Sequence, residues 1–181
     1  AGHVNPLLAT ANAIREESPQ SHVVAIGTDA GLETTLVPEA DIALETIERV
    51  PLPRSVSLDI VRLPMKMRSA ISAAGSILDR HKADVVIGFG GYVSTPVYLA
   101  ARKRKIPVVV HEGNARPGVA NKVGARFAAT VALTFPSTPL RAAKGITVSV
   151  GLPLKREIEQ LAARPGGRRA ARRECAARFG L

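Results

Sequence analysis

Short apolar runs alternate with segments of helical period along the chain, and that alternation limits its fold more than any other feature. His22 to Gly27 (HVVAIG), Ile42 to Ile47, Asp84 to Gly88, Val108 to Val110, Val131 to Thr134 and Thr147 to Val150 read as strands. Pro6 to Glu17, Gly31 to Val37, Met65 to His81, Pro96 to Arg104 and Val119 to Phe127 carry apolar residues at helical spacing between them. Lys155 to Ala163 and Arg168 to Phe179 extend the helical pattern past the last strand, and Pro51 to Pro64 reads as a loop. Strands that alternate with helices are joined by right-handed crossovers and lie parallel. Aromatic residues make up only 3% and Trp is absent, so Val, Ile, Leu and Ala must fill the core, as in a sheet covered on both faces. The expected class is α/β: a Rossmann-like parallel sheet flanked by helices.

Two glycine turns then stand out. The chain opens Ala1-Gly2-His3-Val4-Asn5-Pro6, and Gly88-Phe89-Gly90-Gly91-Tyr92-Val93-Ser94-Thr95-Pro96 joins a strand to a helix. Glycine lets backbone N–H groups approach phosphate oxygens, and the helix that follows presents its positive dipole end. Such turns normally join a strand to its helix, so Gly2-His3 is expected to follow a first strand missing from the sequence, as if the start had been cut away. In open parallel sheets ligands bind beyond the carboxyl ends of the strands. Gly2-His3, Gly88 to Tyr92 and His111-Glu112-Gly113-Asn114 are all expected there, converging on one crevice.

His3, at a helix N-terminus, is a candidate general base, because the dipole there favours the neutral ring. The competing reading is a cap that only hydrogen-bonds the backbone. His111-Glu112 is either a catalytic pair or a structural one that pins the next loop, and Glu112 stays open as the other candidate base. Tyr92 can meet a phosphate or pack at the sheet edge. No third ligand at suitable spacing supports a metal, and no cofactor is implied. A triphosphate-binding Gly-x-x-x-x-Gly-Lys-Ser/Thr and a Gly-x-Ser-x-Gly elbow are both absent.

Lys and Arg number 25 against 15 Asp and Glu, for a net charge of +10. The excess gathers in Arg102-Lys103-Arg104-Lys105 and from Arg164 to Arg178, whereas Asp29 to Glu48 is acidic. A basic surface suits a phosphorylated substrate or an anionic lipid. Nucleic acid is not expected as a partner, since the aromatic platforms of a single-strand binder are missing. The lone Cys175 leaves no disulfide framework and fits a reducing compartment. Val85 to Ala101, the longest uncharged run, is too short and too interrupted by glycines and Pro96 to span a bilayer.

Five separated motifs together resemble the MurG family of UDP-N-acetylglucosamine transferases. They are Gly2-His3-Val4-Asn5-Pro6, Gly88 to Pro96, Pro107-Val108-Val109-Val110-His111-Glu112-Gly113-Asn114, Asn121-Lys122 and Gly151-Leu152-Pro153-Leu154-Lys155, in the family's order and spacing. The resemblance covers the whole chain as the family's N-terminal half. It implies an inverting glycosyltransferase of GT-B architecture, with two Rossmann-like domains and a cleft between them. The substrates implied are UDP-N-acetylglucosamine (UDP-GlcNAc) and undecaprenyl-pyrophosphoryl-MurNAc-pentapeptide (lipid I), which yield lipid II of peptidoglycan. Residues 1–163 would form the acceptor-binding domain, and 164–181 a basic connector to a donor-binding domain that the sequence does not contain. The fragment alone is expected to be inactive.

Carried over residue by residue, the resemblance assigns the base to His3 and the acceptor diphosphate to Gly2, Gly90, Gly91 and Tyr92. Donor contacts fall on Ala1, Gly2, Asn114 and Lys155, with His111 and Glu112 in support. The family's first turn, Gly-Gly-Thr-Gly/Ala-Gly-His, survives only as Ala1-Gly2-His3. His-Glu-Gln-Asn appears with Gly113 for Gln, and Gly-Asn-Pro-Val-Arg becomes Gly151 to Lys155, a point charge in place of a bidentate guanidinium. The alternative function class is a non-catalytic or epimerase-type Rossmann domain for a phosphosugar or nucleotide sugar; its Tyr-x-x-x-Lys is not found.

Leu63, Met65, Lys66, Met67 and Arg68 mix apolar and cationic side chains. They face either the anionic inner leaflet or, for Met65, Met67 and the following Ile71, the sheet. The first reading implies peripheral attachment at the cytoplasmic face of the bacterial plasma membrane.

Overall fold

The computed structural model describes residues 2–50, 59–163 and 166–179. Ala1, expected to touch the donor, lies outside them. The order is α1 (Val4–Glu17), β1 (Val24–Gly27), α2 (Glu33–Glu39), β2 (Ala43–Thr46), α3 (Asp59–Arg80), β3 (Val86–Gly88), α4 (Ser94–Lys103), β4 (Val108–Glu112), α5 (Val119–Gly124), β5 (Thr130–Leu133), β6 (Ile146–Ser149), α6 (Arg156–Ala163) and α7 (Gly167–Phe179). All strand pairs are parallel, as the alternation requires.

The expected loop through Pro64 needs correction at its end, because α3 begins at Asp59 and contains Pro64. Proline's fixed φ is helical, and this early in the helix its missing N–H interrupts the ladder only in the second turn. Residues 51–58 of that loop lie outside the described ones.

The strands divide into two sheets. One pairs β1 with β2, Val24 opposite Ala43; the other runs β3-β4-β5-β6, with Val110 opposite Val131 and Val131 opposite Thr147. Each sheet has its own core. Leu8, Ala11, Ala25, Val37 and Ile42 bury together over the smaller sheet. Over the larger, Ala74, Ile77 and Leu78 of α3 and Val97, Tyr98, Ala100 and Ala101 of α4 pack on Val86, Val108, Val110 and Val131. Alanines on both helices let α3 approach α4 closely. The bidentate pair of Arg104 with Asp79, at 2.6 Å through both Nε and Nη2, ties their ends.

Three helices stop without glycine. Asp41, Lys82 and Lys105 after α2, α3 and α4 take left-handed φ of 54°, 48° and 59°. The next residue's N–H then reaches back to the helix: Ile42 to Val37 O at 3.2 Å, Ala83 to Leu78 O and Ile106 to Ala101 O at 3.0 Å. These are Schellman caps, and each turns the chain from a helix toward the next strand. Part of the basic run is thereby structural: Arg104 holds Asp79, Lys105 forms a cap, and the Arg102 guanidinium lies 5.0 Å from the Phe127 ring centroid.

Candidate functional site

The carboxyl ends of the strands carry the polar residues. At one of them β3 leaves through Phe89 into Gly90 and Gly91, whose φ values of 95° and 88° lie in the left-handed region that glycine adopts without strain. The turn is fixed by the Ser94 hydroxyl, which donates to Gly90 O at 2.6 Å. A Cβ on Gly90 would sit 3.2 Å from the His3 ring and 3.5 Å from Asn121 Nδ2, so the absence of a side chain lets the imidazole lie on the turn.

His3 occupies the N-cap position of α1 but makes no side-chain capping bond. Its Nδ1 lies 2.7 Å from Phe89 O, across 86 residues of sequence. A carbonyl can only accept, so Nδ1 carries the hydrogen and Nε2 the lone pair. The backbone bond is real, but it runs to another element, and it sets the tautomer that a base working through Nε2 requires. The ring borders a cavity of about 310 Å³ with Gly2, Phe89, His111, Asn114 and Leu152.

The opposite wall, from β4 and α5, is closed. Glu112 is 1% exposed and accepts four N–H bonds: from Asn114 N and Nδ2 on Oε1, and from Gly118 N and Asn121 Nδ2 on Oε2, all at 2.9–3.0 Å. Both oxygens already hold two donors each, which leaves no position for a substrate proton. The geometry is that of a group pinning the 113–118 loop, the structural reading of this residue. Asn121 also donates from Nδ2 to His111 O at 3.0 Å, and its Oδ1 accepts from the Tyr98 hydroxyl at 3.0 Å. Burial pushes the Tyr98 phenol far above its ordinary range, so it stays a donor. A Cβ on Gly88 would collide with that ring, and one on Gly124 would lie 2.8 Å from it.

His111 is likewise engaged. Its Nε2 lies 3.1 Å from Gly151 O, and Thr134 Oγ1 donates to the same carbonyl at 3.2 Å. Its ring is tilted against Phe89 at 5.6 Å. The pair His111-Glu112 therefore holds two loops, one at Gly113–Gly118 and one at Gly151.

Asn114 is exposed, and its Nδ2 is turned to Glu112 while its carbonyl accepts from Thr138 Oγ1 at 2.9 Å. Tyr92 is 39% exposed, with the Arg49 guanidinium 4.6 Å from its ring centroid. Gly2 is exposed beside His3. Lys155 is exposed just ahead of α6, apart from the residues that line the small cavity. On α3, Met65 is 77% exposed and Arg68 exposed, while Leu63, Lys66 and Met67 are half-buried. Ile71 packs against the larger core, so the expectation of sheet packing holds for Ile71 and fails for Met65. Tyr98 escaped the sequence reading, and Asn121 entered it only as part of a motif; a buried Tyr in an apolar helix reads as core. Among the described residues no three His, Cys, Asp or Glu side chains gather as a metal site, and no helix is long and apolar enough to cross a membrane.

A parallel α/β sheet with glycine turns and polar loops gathered at its carboxyl edge has the layout of a doubly wound domain, whose ligands bind at that edge. The comparisons with known proteins then specify it. Residues 1–133 match the glycosyltransferase family 28 N-terminal domain, and the chain belongs to that family. It is 52% identical over 161 residues to the Paenarthrobacter aurescens (strain TC1) UDP-N-acetylglucosamine--N-acetylmuramyl-(pentapeptide) pyrophosphoryl-undecaprenol N-acetylglucosamine transferase, covering 89% of this chain and 42% of that protein. A Nocardioides enzyme of the same name is 50% identical over 181 residues, covering 100% of this chain and 47% of its own. The chain thus spans under half the length of these curated relatives. The crystal structure of Acinetobacter baumannii MurG superposes with a TM-score of 0.69 at 30% identity, over 87% of this chain and 44% of that one. A UDP-N-acetylglucosamine 2-epimerase from Rickettsia bellii, TM-score 0.53 and 15% identity over 80% and 42%, shares the fold alone.

Proposed function

We propose that this chain supplies the acceptor half of an inverting transferase that moves N-acetylglucosamine from UDP-GlcNAc to undecaprenyl-pyrophosphoryl-MurNAc-pentapeptide, forming lipid II. The observation that carries the reading is the Nδ1–H bond from His3 to Phe89 O, 2.7 Å, which leaves the imidazole with a basic Nε2 at the mouth of a glycine turn. In the reaction an acceptor hydroxyl gives its proton to Nε2 as its oxygen bonds to the anomeric carbon. The bond from that carbon to UDP breaks, and UDP leaves with the electron pair.

Gly2, Gly90 and Gly91 hold the acceptor diphosphate, with Tyr92 beside them. Ala1, Gly2, Asn114 and Lys155 face the donor. His111 and Glu112 support Asn114 and the Gly151 turn, a role favoured by their complete engagement with protein groups. Residues 1–163 serve as the acceptor domain and 164–181 as a connector toward a donor domain. Leu63, Met65, Lys66, Met67 and Arg68 meet the anionic inner leaflet, a reading supported by the exposure of Met65 beside two cations.

The test is His3→Ala and His3→Gln in the full-length enzyme. Turnover falls about 100-fold or more, while KM for both substrates holds within a few fold. Turnover within a few fold of the parent removes His3 as the base. Sedimentation with anionic vesicles tests the membrane face: binding weakens with salt and with Lys66→Glu plus Arg68→Glu, and equal binding by parent and double mutant removes this segment from the membrane site.

A further inference from the structure

Arg49 is exposed, yet the backbone that carries it is pinned on both sides. Ile47, just after β2, is buried and its N–H donates to Gly27 O at 3.0 Å, and Val50 is buried on the other side of the arginine. The side chain reaches from the smaller sheet to the turn that follows β3 in the larger one. There its guanidinium lies 4.6 Å from the centroid of the Tyr92 ring.

The neighbouring acidic groups are engaged elsewhere: Glu45 of β2 holds Arg80 and His81, Glu33 holds Thr28, and Asp79 holds Arg104. Among the described residues no carboxylate or carbonyl accepts a bond from Arg49. The face of a ring attracts a cation but supplies no oxygen, so the five N–H donors of the guanidinium keep their capacity for an anion. Tyr92 directly follows Gly91, and the N–H groups of Gly91, Tyr92 and Val93 reach no backbone carbonyl among the described residues. Arg49 and Tyr92 line one cavity of about 950 Å³ together with Gly2, His3, Gly90 and Gly91. The smaller cavity shares Gly2 and His3 but is bordered by His111, Asn114 and Leu152 instead. His3 thus borders both cavities, with Arg49 in one and Asn114 in the other.

We propose that Arg49 binds the diphosphate of the acceptor, and that Tyr92 is a positioning residue whose ring holds the guanidinium beside the Gly90-Gly91 turn. The inference rests on the function proposed above, which puts the acceptor diphosphate on that turn. A diphosphate offers oxygens on two phosphorus atoms, so a planar fork of donors can take some while backbone N–H groups of the turn take others. Contact with Tyr92 restrains a long side chain before the ligand arrives, which lowers the entropy lost on binding. The donor's diphosphate is the competing source of the same chemistry, but under that function the donor lies on the Asn114 side of His3.

In the full-length enzyme, Arg49→Ala is expected to raise the KM for lipid I about tenfold or more, with kcat within about threefold and the KM for UDP-GlcNAc within about twofold. Arg49→Lys restores part of the loss, because a point charge replaces the fork. Tyr92→Leu raises the same KM about fivefold, and Tyr92→Phe, which keeps the ring face, recovers most of that loss. An unchanged lipid I KM in Arg49→Ala overturns the proposal. A rise confined to UDP-GlcNAc also overturns it, by moving the guanidinium to the donor. Equal losses in Tyr92→Leu and Tyr92→Phe make the hydroxyl the contact and overturn the positioning role. If Arg49→Ala does not fold, Arg49→Gln, which keeps the aliphatic stem, takes its place with the same outcomes. A parent enzyme that transfers nothing to lipid I overturns the proposed function instead. Inorganic pyrophosphate, titrated calorimetrically in the presence of excess UDP, then decides Arg49: binding at least about fivefold weaker in Arg49→Ala than in the parent supports the anion site, and equal binding overturns it.

Discussion

At the wall built by α4, β4 and α5, each polar side chain is held by a neighbour: Tyr98 by Asn121, Asn121 by the His111 carbonyl and Glu112, and Glu112 by the 113–118 loop. Across the cleft, His3 is exposed and its ring is bonded to Phe89 O. The two histidines, one at the N-cap of α1 and the other on β4, thus differ in kind. His111 directs its Nε2 to the Gly151 carbonyl, whereas His3 anchors through Nδ1 and keeps the Nε2 lone pair. One wall contributes shape, and under the proposed function the other contributes the reacting group. Substitutions in the first should be read mainly in stability, and substitutions in the second mainly in turnover.

Glu112→Ala should break that division most visibly if it is wrong. It leaves four N–H groups without their acceptor in a site 1% exposed, and the expected loss is about 3–5 kcal/mol of unfolding free energy in urea titration. A loss under about 1 kcal/mol would mean the loop finds other partners. Gly88→Ala drives a methyl into the Tyr98 ring and should cost about 1–3 kcal/mol by the same measurement. Gly90→Ala belongs to the other wall yet carries backbone strain at φ 95°, so about 1–2 kcal/mol is expected, together with displacement of the His3 ring visible as a changed imidazole NMR shift.

Tyr98→Phe removes one buried hydroxyl donor from Asn121 Oδ1 and should cost about 1 kcal/mol, detectable as a lower melting temperature. His3→Ala should have the smallest effect, within about 0.5 kcal/mol of the parent, because the ring is exposed and makes no capping bond. A large loss there would recast His3 as a structural tie between α1 and β3.

Much of this was readable beforehand, for identifiable reasons. Strands such as Val108–Glu112 and helices such as Val4–Glu17 emerge from local period, and the glycine turns announce the carboxyl edge. The start of α3 did not, because Pro64 in its second turn looks like a break unless the preceding turn is known to be helical. The caps at Asp41, Lys82 and Lys105 were hidden for a similar reason: left-handed helix ends are read from glycine, and none is present at these three. The Tyr98–Asn121–Glu112 chain spans α4, α5 and β4, and no spacing along one element encodes a contact among three. His3 was found as a candidate, but its tautomer depends on Phe89, 86 residues away, and only the folded chain brings that carbonyl to the ring. The division into two sheets followed from strand neighbours, which alternation does not determine.

The Tyr98 ring, wedged between Gly88 and Gly124, also governs the order in which mutations can accumulate. A side chain at either glycine meets the phenol, and one at position 124 also lies 2.8 Å from Val110 Cγ2, so enlarging position 88 becomes less costly once position 98 has shrunk. That first step leaves Asn121 Oδ1 without its hydroxyl donor and opens a void in the larger core. The three sites are therefore coupled: the cost of a change at one depends on the residue present at the others.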